Sequence, residues 1–196
     1  MNQQFVNAIN LEIASLPESF FGTFQYTRTG NNLCHPLTLG VIARVVADLP
    51  AVSHVGIDIR LNQGSGIKFQ PDVVGFDKDI HPVLAVDYES PNSSDARIPV
   101  KDWLSFANWR KVSGQVIPYF VITTLPDFSS PEWQLRWTAS DQYNHAFRGQ
   151  RTEIQSNPFK FWYKHYRLVA PKYDLKGIYM VNISAGIASI VEIDRI

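Results

Sequence analysis

The stretch Phe69–Gln–Pro–Asp72–Val–Val–Gly–Phe–Asp77, followed by Pro82–Val–Leu–Ala–Val–Asp87–Tyr–Glu89–Ser90, reads as two adjacent β-strands with acids where a purely structural strand would not want them. Val83 to Val86 is an unbroken apolar run, the pattern of a strand buried on both faces. Asp87 and Glu89 follow at a spacing of two, which sets both on one face of that strand. Asp72 ends a Pro–Asp step on the preceding strand and is expected to lie close to them. Carboxylates that converge at a sheet end repel one another unless protons are taken up or a cation sits between them. An all-oxygen donor set of this kind suits Mg²⁺ or Mn²⁺. Each acid has a plain alternative: strand-end acids are commonly just solvated, and an acid after proline commonly belongs to a turn or bulge. Their convergence is what distinguishes a site from three surface charges.

Outward from these strands the chain alternates between helical and extended patterns. Gln3 to Ala14 reads as an amphipathic helix closed by Pro17, Phe20 to Thr27 as a strand, and Thr29–Gly–Asn–Asn32 as a turn. Thr38 to Leu49 carries Leu39, Ile42, Val46 and Leu49 on one helical stripe, with Pro50 as its stop. His54 to Leu61 is a strand, and Asn62–Gln–Gly–Ser–Gly66 has the glycine content of a hairpin loop into the strand Ile67 to Phe76. Beyond Val83–Tyr88, a helix is expected over about Val100 to Val112, stopped by Ser113–Gly114, and then an apolar strand over Val116 to Thr124. Three meandering strands and a crossover make a mixed sheet with helices against it, an α/β arrangement. Downstream, Asp141 to Glu153 fits a helix or a long loop. Pro158 to Val169 reads as a helix, and Ile178–Ile183 with Ala188–Ile193 as a terminal hairpin.

Composition sets the class. A hydrophobic fraction of 45% against 18% charged residues describes an ordinary globular chain that can bury a core, not a disordered one. The net charge of zero excludes a uniformly basic nucleic-acid binder, though not one with segregated charge. Eight of the eighteen acids lie between Asp58 and Asp102, whereas Asn144 to Arg167 holds Arg148, Arg151, Lys160, Lys164 and Arg167 against Glu153 alone. Cys34 is the single cysteine, so no intrachain disulfide forms, which fits a cytoplasmic location. Met1 to Glu18 lacks the pattern of a secretory leader, and no apolar run is long enough to span a membrane.

The order helix, three strands, helix, strand, with an acid after proline on the second strand and acid–X–acid on the third, resembles the PD-(D/E)XK nuclease superfamily over about residues 38–125. The resemblance implies a restriction-endonuclease-like αβββαβ core in one domain over 1–196. The remainder, about 126–196, is an extension that adds a C-terminal helix and β-hairpin. It also implies Mg²⁺- or Mn²⁺-dependent hydrolysis of DNA phosphodiester bonds, and a homodimer, because cutting both strands takes two sites. Asp72 is then the first metal ligand, Asp87 the second, and Glu89 an additional acid in the site. The superfamily usually has a lysine two residues after the second acid, where this chain has Glu89. Two readings stand. In some restriction enzymes a glutamate at that place binds metal or water. In compact bacterial members the lysine has moved to the following helix. The run Asp87–Tyr–Glu–Ser90–Pro91 leading to Lys101 resembles the second pattern and ranks Lys101 ahead of Glu89 for the lysine's role. The absent strand lysine and the zero net charge also fit a rival: a catalytically inactive relative that keeps the nuclease fold as a binding or interaction module.

A second motif, Phe159–Lys–Phe–Trp–Tyr–Lys–His–Tyr–Arg167, interleaves bases with aromatics. Lys160, Lys164 and Arg167 are candidates for phosphate contacts with DNA, while the aromatics fall at the helical spacing of a core-facing stripe. Other signals are weaker. Gly64–Ser–Gly66 lacks the Gly-Lys-Ser/Thr ending of a phosphate loop, the five histidines show no metal-ligand spacing, and Cys34–His35 are too close in sequence to act as a catalytic pair. A carboxylate-pair glycosidase has no distinctive motif here.

Overall fold

Phe5 and Ile9, four residues apart, give helix α1 (Asn2–Ser15) one buried face. Leu39, Ile42, Val45 and Val46 do the same for helix α2 (Arg28–Ala47). The computed structural model describes residues 2–15, 28–61, 69–89, 100–124, 176–184 and 187–192. The expected strand over 20–27 and the segments 141–153 and 158–169 lie outside the described residues. Helix α2 begins earlier than its apolar stripe, so the expected turn at 29–32 is instead helical, and Pro36 sits inside the helix. Glycine and asparagine weaken a helix by under about 1 kcal/mol each, a local preference that the longer helix overrides.

Six strands form one mixed sheet in sequential order: β1 (His54–Ile57), β2 (Val73–Phe76), β3 (Pro82–Glu89), β4 (Tyr119–Thr124), β5 (Ile178–Ser184) and β6 (Ile187–Glu192). Strands β1, β2 and β3 meander antiparallel, and β6 returns antiparallel along β5 as the expected terminal hairpin. Between them, β3, β4 and β5 run parallel. Helix α3 (Val100–Ser113) makes the crossover from β3 to β4 and ends at Gly114, whose φ of +68° suits glycine.

Strand β1 stops at Ile57 rather than running to Leu61, because Asp58 takes a left-handed φ of +54°. Pairing then resumes: the Asp58 N–H donates to the Asp72 carbonyl at 2.9 Å, and the Leu61 N–H to the Phe69 carbonyl at 2.9 Å. These bonds hold 69–72 in line with the hairpin and so fix where Asp72 sits. Gly75 lies where α2 presses on β2. A Cβ there would meet Val52 Cγ2 at 2.9 Å and Val46 Cγ1 at 3.0 Å.

Neighbouring residues on a strand point to opposite faces, and β4 shows which helices cover each. The Phe120 ring lies 4.3 Å from that of Phe5 in α1, while the Tyr119 ring stacks at 4.5 Å on Phe106 in α3. Helices α1 and α2 therefore cover one face, over a core that includes Leu39, Ile42, Val73, Leu84, Val86 and Ile122. Helix α3 covers the other. The Asn10 amide of α1 also binds the backbone of β6, accepting from the Ala188 N–H at 2.7 Å and donating to its carbonyl at 3.4 Å. Among the described residues no helix is long and apolar enough to cross a membrane.

Candidate functional site

Val73 pairs with Val86, so the next position outward sets Asp72 opposite Asp87 at the end of the β2–β3 ladder. Residues directly opposite on antiparallel strands share a face of the sheet, here the face covered by α3. The two acids are laced together. The Asp72 N–H donates to Asp87 Oδ1 at 2.8 Å, and the Tyr88 N–H donates to Asp72 Oδ2 at 2.7 Å. Asp87 is buried, at 9% exposure, while Asp72 is half-buried. A buried carboxylate is tolerated only where hydrogen bonds or a cation compensate its lost hydration, and Asp87 accepts a second bond, from the Tyr119 hydroxyl to Oδ2.

Tyr119 was invisible as a site residue in a segment that reads simply as an apolar strand. Its ring is fixed by α3 and by the segment leading to Asp72: Phe106 stacks on it, and Phe69 meets it edge-on at 5.6 Å. Phe69 in turn lies 5.6 Å from Phe106 and 5.4 Å from Trp109. This aromatic nest is fully buried and underlies the carboxylate pair. The Arg110 guanidinium caps it, 5.5 Å from the Phe106 ring centre, and donates to the Lys176 carbonyl.

That last bond also orients α3. Its C-terminal end lies by the start of β5, and a 14-residue helix is about 20 Å long. The first turn, with the backbone of Lys101, therefore lies toward the opposite sheet end, where β3 terminates in Asp87–Tyr88–Glu89. Glu89 pairs with Thr123 at the close of β3. The side chains of Glu89 and Lys101, and all of Lys160, Lys164 and Arg167, lie outside the described residues. Of the sequence candidates, the structure brings together Asp72 and Asp87.

The donor chemistry of that pair suits a hard divalent cation. Both ligands are oxygen, and a carboxylate oxygen offers two lone pairs, so accepting an N–H and ligating Mg²⁺ or Mn²⁺ are compatible.

A second group stands at the other end of the same hairpin. Asp77, Asp79 and His81 have potential ligand atoms within 4.8 Å of one another, at a spacing of two and two that pairs one histidine with acids rather than with other histidines. Asp77 has a structural task there. Its Oδ1 accepts from the Asp79 N–H at 2.9 Å and the His81 N–H at 2.8 Å, bracing a turn in which Ile80 takes a φ of +62°. The His81 backbone bond is the chief reason the Asp77 carboxyl titrates below its ordinary 3.8, helped by the Asp79 N–H and the nearby His81 ring and opposed by partial burial. A depressed carboxyl stabilises the fold above its ordinary pKa, and that contribution is lost as pH falls through the depressed value. Urea midpoints measured from pH 7 down to pH 3 should therefore fall less steeply for Asp77→Asn than for the wild type. Parallel profiles would show that the turn bonds do not favour the ionised form.

Compared with family models, with curated proteins and with solved structures, the chain matches none.

Proposed function

We propose that this protein is a divalent-metal-dependent endonuclease, with a restriction-endonuclease-like core, that hydrolyses DNA phosphodiester bonds at Asp72 and Asp87. The observation that carries the reading is the reciprocal lacing of those two carboxylates, one of them buried, on adjacent strands. Those bonds leave the carboxylate oxygens with lone pairs that suit a hard cation, and the resemblance asks for acids at these two positions. The sequential order of β1 to β5, with β1–β3 antiparallel and β3–β5 parallel around a helical crossover, supports the αβββαβ reading. The inactive-relative alternative draws on two features, the glutamate where the strand lysine is expected at position 89 and the net charge of zero.

In this proposal Asp72 and Asp87, with Glu89 assisting, hold Mg²⁺ or Mn²⁺. A cation bound there supplies charge neutralisation at the phosphate and acidifies a water for attack. The bond from Tyr119 and the two backbone N–H groups keep the carboxylates from turning away. Lys101, at the start of α3, adds an ammonium beside the developing charge of the phosphorane. Lys160, Lys164 and Arg167 are proposed to hold the DNA backbone.

The test is cleavage of plasmid and oligonucleotide DNA with each metal, for wild type, Asp72→Ala and Lys101→Ala. Asp72→Ala should remove activity. Lys101→Ala should lower the rate by about a hundredfold, the lower end of what losing one positioned charge-stabilising donor costs, with Mn²⁺ binding and stability largely unchanged. Activity retained in Lys101→Ala but lost in Asp72→Ala would move the auxiliary role to Glu89. No metal-dependent cleavage by the wild type would favour the inactive relative.

A further inference from the structure

We infer that Tyr119 is a positioning residue for the metal site, its hydroxyl holding the Asp87 carboxylate in the one orientation in which both acids address a single cation; this rests on the metal-site reading of Asp72 and Asp87. The residue lies on a different strand from either acid, and no motif of the nuclease resemblance includes it. Three observations converge on it. The hydroxyl donates to Asp87 Oδ2, the oxygen not bonded to the Asp72 N–H. Each carboxylate oxygen thus has its own donor, and rotation about the Cβ–Cγ bond of Asp87 breaks both bonds. The tyrosine ring is held in turn: it is fully buried, stacked on Phe106 at 17° between ring planes and met edge-on by Phe69. Parallel register then fixes the reach, because Tyr119 pairs with Ala85, two residues before Asp87 on the same face of β3. The ring spans that distance along the sheet.

A carboxylate ligand that is itself hydrogen-bonded needs less ordering when the cation arrives. Loss of such a supporting partner typically weakens metal affinity on the order of 10- to 100-fold. Tyr119→Phe removes the hydroxyl and keeps the ring in its nest, so it isolates this contribution. Calorimetric titration of Mn²⁺ into the full chain should show binding 10- to 100-fold weaker than the wild type. In cleavage assays the half-saturating Mn²⁺ concentration should rise by the same factor, while the rate at saturating Mn²⁺ stays near that of the wild type. A variant that is only less stable would not show that split. Ile42→Val, which loosens packing on the opposite face of the sheet, is the control and should bind Mn²⁺ as the wild type does. Equal affinity in wild type and Tyr119→Phe overturns the positioning role and leaves the nuclease proposal standing. Equal weakening in Ile42→Val and Tyr119→Phe also overturns it, because Tyr119 then acts only through stability. A wild type that binds no Mn²⁺, or an Asp87→Asn variant that binds it as well as the wild type, overturns both readings together.

Discussion

Replacing Asp87 by asparagine is expected to abolish Mg²⁺- or Mn²⁺-dependent DNA cleavage, with a loss on the order of a thousandfold or more. A Lewis-acid centre contributes several kcal/mol of transition-state stabilisation, and each 1.36 kcal/mol or so is a factor of ten in rate. Asparagine is the informative replacement because it keeps the shape of the site. Its carbonyl oxygen still accepts the Asp72 N–H, and its amide still meets the Tyr119 hydroxyl, but the negative charge that the proposed cation needs is gone. Asp87→Ala confounds the test: it leaves the Asp72 N–H and the buried Tyr119 hydroxyl to find new partners, at about 1–3 kcal/mol for each that fails. Gel assays of supercoiled plasmid over a range of Mn²⁺ concentrations, together with thermal melting, check both halves of the expectation. A stable Asp87→Asn variant that cuts at the wild-type rate would remove Asp87 from the chemistry.

The largest effect on stability is expected from Phe106→Ala, at about 3–5 kcal/mol, the range for truncating a buried aromatic. Phe106 is fully buried and lies at the centre of the nest, in ring contact with Tyr119, Phe69 and Trp109 and under the Arg110 guanidinium. Its stacking on Tyr119 ties α3 to β4. A loss of that size takes away a large part of the roughly 5–15 kcal/mol that holds a typical domain together. Urea denaturation should show the midpoint falling sharply for Phe106→Ala and much less for Phe106→Leu. A change below about 1 kcal/mol, the scale of a surface substitution, would mean that α3 does not pack on β4 through this ring.

How much of this was legible beforehand depended on which interactions were local. Val83–Val86 declared a strand buried on both faces, and the meander β1–β2–β3 followed from turn residues between apolar runs. Asp72 and Asp87 were readable as partners because consecutive antiparallel strands fix their own register. Tyr119 was not. Its place beside Asp87 depends on the register between β3 and β4, which are parallel and joined by a crossover, so no short-range pattern encodes it. Phe69 reads in the sequence as part of a strand, yet its role is to carry the aromatic nest under the site, a tertiary fact. The early start of α2 is not visible in the sequence, because Thr29–Gly–Asn–Asn32 favours a turn by a margin that a continuing helix overrides. The stop of β1 at Asp58 is equally hidden, because one left-handed residue ends the ladder where the sequence alternation continues. At Asp77–His81, the ligand spacing arises from a braced turn, a geometry that histidine counting does not capture.

Asp72 and Asp87 are proposed to bind one divalent cation between them. The most direct measurement is a crystal grown with Mn²⁺ and recorded at the manganese absorption edge. An anomalous peak is expected within coordination distance, about 2.0–2.3 Å, of an oxygen from each carboxylate. A peak at Asp77, Asp79 and His81 alone, or none at the Asp72–Asp87 pair in a crystal saturated with Mn²⁺, would contradict it.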